Sequence, residues 1–129
     1  MQSAVLILGA SSDIGLEIVN YYVDEEWRVV AHGNSSVKCL NDISELVTSF
    51  KLDMTDPKEV EEFIRENNSL FKDVSVIINC IGYIESKDYF NVNYKHMSKV
   101  FNINLFSPIL FNSFLIPKMI SHNWGRIVN

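Results

Sequence analysis

The sequence predicts an α/β domain built on a doubly wound parallel sheet. Three observations carry this reading. Short apolar runs alternate with longer segments of helical period, no hairpin turn separates one run from the next, and a glycine-bearing turn joins the first run to the first helix. Strands connected through helices make βαβ units with right-handed crossovers, and so a parallel sheet. The chain has 129 residues, 47% hydrophobic and 21% charged, which suits one folded domain with a buried core. There is no linker, repeat or low-complexity stretch, so residues 1–129 read as a single doubly wound α/β domain.

Residues 4–8 (AVLIL) are continuously apolar, as in a strand covered on both faces. From Asp13 the period changes: Ile14, Ile18, Val19 and Tyr22 share one helical stripe, which predicts a helix to about residue 26. Residues 28–32 read as a second strand, and Gly33-Asn34-Ser35-Ser36 as a turn able to cap a short helix. Residues 47–52 give a third strand. Thr55 reads as the N-cap of a helix to about residue 67, with Pro57 in its first turn and its charges in solvent. Residues 74–79 form a fourth strand. Residues 95–121 predict a long helix bent near Pro108 and Pro117, and 126–129 begin a fifth strand.

The turn from Gly9 to Gly15 follows the first strand, at the carboxyl edge where ligands of such sheets sit. A helix beginning near Asp13 aims unpaired N–H groups and its positive dipole end at that turn, so a phosphate is its natural occupant. Gly9 permits a tight turn, Ser11 and Ser12 carry hydroxyl donors, and Gly15 permits close approach of backbones. Asp13 can cap the helix and is expected to point away from an anion. A plain strand-to-helix turn is the alternative. About 20 residues beyond the loop, where a carboxylate would favour NAD, the chain reads His32-Gly33-Asn34-Ser35-Ser36. The missing acid favours NADP, with Asn34, Ser35 and Ser36 as donors to a 2′-phosphate and NAD as the alternative.

The net charge of −5 and pI near 5.1 argue against a nucleic-acid binder. No run approaches the ~18 consecutive apolar residues of a membrane span, and Met1-Gln2-Ser3 lacks the basic start of a signal peptide. Cys39 and Cys80 lack metal-ligand spacing and read as reduced thiols of a cytoplasmic protein. The three histidines form no metal motif.

Five stretches, in order, resemble the short-chain dehydrogenases/reductases. LGASSDIG (8–15) is similar to their glycine motif TGxxxGIG, and NCIG (79–82) to their NNAG. KLDMTD (51–56) is similar to their acidic end of strand three. VFNINLFSPILFNSFLIPKMI resembles their fifth helix, and GRIVN their fifth strand. Leu8, Asp13 and Cys80-Ile81 depart from the family's residues.

The resemblance implies a Rossmann-like fold and an NAD(P) cofactor held by Gly9, Ser11, Ser12, Asp13, Ile14 and Gly15. Asp53 would accept from the adenine amino group with Met54 alongside, or else cap the next helix. Asn79 would brace the loop at the ribose beside Cys80, and Gly82 would let the backbone pass the cofactor or serve as a turn glycine. Asn104 matches the family's active-site asparagine, or is now only structural; Asn102 is expected to face solvent. The family's catalytic Ser and Tyr-x-x-x-Lys follow the fifth strand, and the sequence stops before them at Asn129. Tyr83 and Lys87 imitate that spacing in a loop, where the pattern reads as chance.

The resemblance therefore implies the cofactor-binding half of an oxidoreductase, truncated after the start of the fifth strand. The longer relative would act on a carbonyl or alcohol, such as a 3-oxoacyl substrate. The alternative is a non-catalytic nucleotide-binding or interaction protein. The segment from Val100 to Ile120 is apolar on nearly every side, so self-association through this helix is expected.

Overall fold

The computed structural model describes residues 3–86 and 88–129. Its strands are β1 (Ala4–Leu8), β2 (Arg28–Gly33), β3 (Val47–Lys51), β4 (Val74–Asn79) and β5 (Arg126–Val128). All pair in parallel, in the order β3-β2-β1-β4-β5. The helices are α1 (Asp13–Asp24), α2 (Lys38–Asn41), α3 (Pro57–Glu66), α4 (Tyr94–Phe101) and α5 (Ser107–Ser121). This is the doubly wound α/β sheet that the sequence predicts.

The central strand shows why its run lacks polar residues. Ala4, Leu6 and Leu8 face Val60, Ile64, Phe71, Phe111 and Leu115, while Val5 and Ile7 face Val19 and Leu40 on the opposite side. Every residue of β1 is therefore buried. Aromatic rings fill the first layer: Phe50 stacks on Phe63 at 5.1 Å, and Phe71 meets Phe50 and Phe111 edge-on, each at 5.7 Å.

Two local expectations change. The N-cap of α3 is Asp56, not Thr55; its carboxylate accepts from the Lys58 amide at 2.9 Å, with Pro57 in the first turn. The long helix does not simply bend at Pro108. Between α4 and α5 it winds as a π-helix over Asn102–Phe106, the Ser107 amide donating to the Asn102 carbonyl five residues back. Pro108 offers no N–H to the Asn104 carbonyl and its ring would press on that carbonyl in α winding, so the wider turn relieves both conflicts. Pro117 lies inside α5, which continues to Ser121.

Taken whole, the helix from Tyr94 to Ser121 is long and apolar enough to cross a membrane by length and composition. A count of consecutive apolar residues does not register this, because asparagine, serine and lysine interrupt the run. Much of the apolar character serves the core: Phe111, Leu115 and Met119 are buried against the sheet. The outer face is apolar too, with Phe101, Leu105, Phe106, Ile109, Ile116 and Ile120 exposed.

Candidate functional site

The chain leaves β1 toward β2 on one side and returns through β4 on the other, so the strand order reverses between β1 and β4. The loops after these two strands frame a cleft of about 270 Å³. A second hollow, of about 220 Å³, sits elsewhere, among Lys72, Asp73, His122 and Trp124. It has no glycine turn or helix start.

The first wall is the turn after β1. Gly9 takes φ 78°, and a Cβ there would lie 3.0 Å from the carbonyl carbon and oxygen of Cys80. Gly15 is required by contact: a Cβ would meet the carbonyl oxygen of Gly9, with Ala10 Cα only 2.7 Å away. Ser12, and not Asp13, caps α1. Its hydroxyl donates to the Gly9 carbonyl at 2.8 Å and accepts from the Gly15 amide at 3.1 Å. That hydroxyl is therefore committed to the turn, and among the described residues the Ser11 hydroxyl meets no partner. Asp13 and Ile14 expose their side chains, as expected for Asp13. The amides of Ser11, Asp13 and Ile14 meet no acceptor among the described residues. Three open donors at a helix start fit a phosphate group.

The second wall is the loop after β4. The Asn79 side chain accepts from the Ile81 amide at 3.1 Å, bracing the loop as the resemblance implies. Cys80 is half-buried and its amide donates to the Leu8 carbonyl at 2.8 Å. Burial pushes its thiol above the usual pKa, so it meets the cleft as a neutral group. A Cβ on Gly82 would meet nothing within 4 Å, so no contact within this fold demands a glycine there.

The π-helix holds the floor in place. Asn104 accepts from the Tyr83 amide at 2.8 Å and donates to the Tyr83 carbonyl at 2.7 Å. Asn102 does not face solvent: it is half-buried and donates to the Thr55 carbonyl at 2.9 Å. The Ser107 hydroxyl donates to the Met54 carbonyl at 2.9 Å. These bonds compensate for asparagine within a helix.

Among the expected residues, the cleft gathers Gly9, Ser11, Ser12, Asn34, Met54, Cys80 and Gly82. Ser35 and Ser36 are exposed beyond β2, and the Ser36 hydroxyl accepts from the Lys38 amide at 3.3 Å. Asp53 is exposed; one oxygen accepts from the Thr55 amide at 2.9 Å, a turn role that leaves the other oxygen open. Sequence reasoning missed His32, Ile81, Tyr83 and Ile103, which also line the cleft. His32 had a signal, a ring polar at both ends placed at the close of an apolar strand. Its Nδ1 accepts from the Gly9 amide at 3.1 Å and its Nε2 donates to the Leu52 carbonyl at 2.8 Å.

The Tyr83–Lys87 spacing falls partly outside the described residues, because Lys87 is not among them. Among the described residues, Tyr83 meets the cation of Lys99, whose ammonium sits 4.3 Å from the ring centroid. The Tyr83 hydroxyl donates to Glu85 at 3.1 Å, and hydrogen bonding between Lys99 and the Tyr83 side chain raises the Lys99 pKa above the ordinary lysine value.

A parallel sheet, a switch-point cleft and open amides over a glycine turn define a dinucleotide-binding class of protein. Residues 3–129 match the family model for short chain dehydrogenases. The chain belongs to that family. It is 28% identical over 133 residues to the uncharacterized oxidoreductase YvrD of Bacillus subtilis, covering 99% of this chain and 50% of that one. Among solved structures, ElxO with NADP bound superposes with a TM-score of 0.81 at 21% identity, over 100% of this chain and 55% of that one. A short chain dehydrogenase from Leptospira borgpetersenii with bound NAD+ gives 0.82 at 23% identity, over 98% and 50%. The chain spans about half the length of the curated relatives it matches.

Proposed function

We propose that this chain is the cofactor-binding part of an NADP-linked oxidoreductase. The observation that carries the reading is the set of open amides on Ser11, Asp13 and Ile14 at the start of α1. These amides and the Ser11 hydroxyl would hold the pyrophosphate, Asp53 and Met54 the adenosine, and Cys80, Gly82 and Tyr83 the nicotinamide end. Asn34, Ser35 and Ser36 stand at the end of β2 without a carboxylate to repel a 2′-phosphate, which supports NADP over NAD.

A bound nicotinamide cofactor supplies or accepts hydride. What these residues contribute is position. Asn79 and Asn104 fix the loop after β4 from either end, Asn104 through both polar atoms of the Tyr83 backbone. Asn104 is in this reading the one residue of the family's proton relay present here. The family's Ser and Tyr-x-x-x-Lys are not among the 129 residues. These 129 residues taken by themselves supply the cofactor site and not the family's acid for reduction of a carbonyl.

The expected behaviour is cofactor binding without turnover. NADPH titration followed by fluorescence should give a Kd above about 10 µM, about 7 kcal/mol of binding. Oxidation assays against ketones and 3-oxoacyl thioesters should then show no rate. Turnover by the 129-residue chain, abolished in Tyr83→Phe, would instead assign Tyr83 the acid role. Two unpaired cysteines support a cytoplasmic setting. The exposed apolar face of the 94–121 helix supports self-association.

A further inference from the structure

His32 is buried, with 1% of its surface exposed, and its ring lies 5.4 Å from that of Phe50. Besides its place in the sheet, three hydrogen bonds tie it to two segments that are remote from one another in sequence. The Gly9 amide donates to Nδ1 at 3.1 Å, the Ala10 amide donates to the His32 carbonyl at 2.8 Å, and Nε2 reaches the Leu52 carbonyl at 2.8 Å. Because a backbone N–H can only donate, Nδ1 must be unprotonated. Nε2 therefore carries the hydrogen and donates to Leu52. One neutral tautomer satisfies both contacts, and the other satisfies neither.

This arrangement has a consequence for the turn. The amides of Gly9 and Ala10 are drawn toward β2, while those of Ser11, Asp13 and Ile14 stay open. Gly9 has the positive φ of 78°, so its peptide plane is what the histidine acceptor orients. We propose that His32 is a positioning residue for the phosphate-binding turn. It acts by accepting from the Gly9 amide, and its bond to Leu52 ties that turn to the end of β3. The proposal rests on the cofactor reading above and adds to it the residue that fixes the anion site from beneath.

Two substitutions separate the bonds. His32→Asn keeps an acceptor near Nδ1 for Gly9 and gives up Leu52. His32→Gln keeps a donor near Nε2 for Leu52 and withdraws the acceptor from Gly9. NADPH titration of the 129-residue chain, with thermal unfolding of each variant, is the test. His32→Asn should bind within about threefold of the wild type and His32→Gln about tenfold more weakly, the weight of one hydrogen bond. Binding by His32→Gln equal to the wild type would overturn the proposal, as would equal losses in both variants. The ring nitrogens of the wild type give an arm free of folding defects: added NADPH should shift Nδ1 more than Nε2, and an unmoved Nδ1 overturns the proposal. A wild type that binds no NADPH at all removes the cofactor reading itself, whereas the variant arms fail only the role of His32.

Discussion

A Cβ added at Gly9 would lie 3.0 Å from the Cys80 carbonyl on a backbone with φ 78°, whereas one added at Gly82 would touch nothing within 4 Å. The first glycine is needed by the fold, and no contact among the described residues demands the second. Gly9→Ala should therefore cost about 1–3 kcal/mol of stability, from left-handed strain and crowding together. Gly82→Ala should leave the Tm unchanged and weaken NADPH binding, and unchanged binding would return Gly82 to a plain turn residue. His32 makes a prediction of its own. Burial lowers its pKa from the ordinary 6.5, with the Leu52 carbonyl pulling the other way. The unfolded chain then takes up the proton more readily, so this contribution to stability is present above pH 6.5 and is lost as pH falls through the lower native value. Urea midpoints measured between pH 7.5 and pH 5 (about a tenfold step in protons for each unit) should fall more steeply in the wild type than in His32→Asn.

The π-helix Asn102–Phe106 gathers the ties that matter at the next scale. Asn102 and Ser107 hold the loop after β3 through Thr55 and Met54, and Asn104 holds the loop after β4 through Tyr83. The wide turn and the first residue of α5 thus tie the loop after β3 and the loop after β4 to one helix. Asn104→Ala should release the Tyr83 amide, speeding its hydrogen exchange by about tenfold, with a stability loss near 1 kcal/mol. Unchanged exchange would show that Tyr83 is held by other contacts. Asn104 was marked by its match to the family's active-site asparagine. The sequence could not place Asn102, since a change from α to π winding rotates every later side chain around the axis, and periodicity assumes a constant turn. The shift of the α3 cap from Thr55 to Asp56 has a similar origin, because both residues carry the oxygen that a cap requires.

For the molecule as a whole, strands were legible to within one residue because each is short, carries β-branched or other apolar residues and is closed by glycine, asparagine or charge. The layers followed from β1, whose unbroken apolar run needs cover on both faces. The polar ring of His32 at the close of an apolar strand was a signal, but its partners Gly9 and Leu52, 23 and 20 positions away, were not legible. The outer face of the 94–121 helix and the exposed strand β5 leave apolar surface uncovered, with Phe106 48% and Val128 51% exposed. Light scattering at about 50 µM should show a dimer or larger species, and a clean monomer would contradict that expectation. The central claim is that the start of α1 holds the anionic part of a dinucleotide. Amide spectra recorded during NADPH addition test it most directly. The account predicts saturable shifts led by Ser11, Asp13 and Ile14, with Gly9 and Gly82 following; unmoved amides on these three residues at about 1 mM cofactor would contradict it.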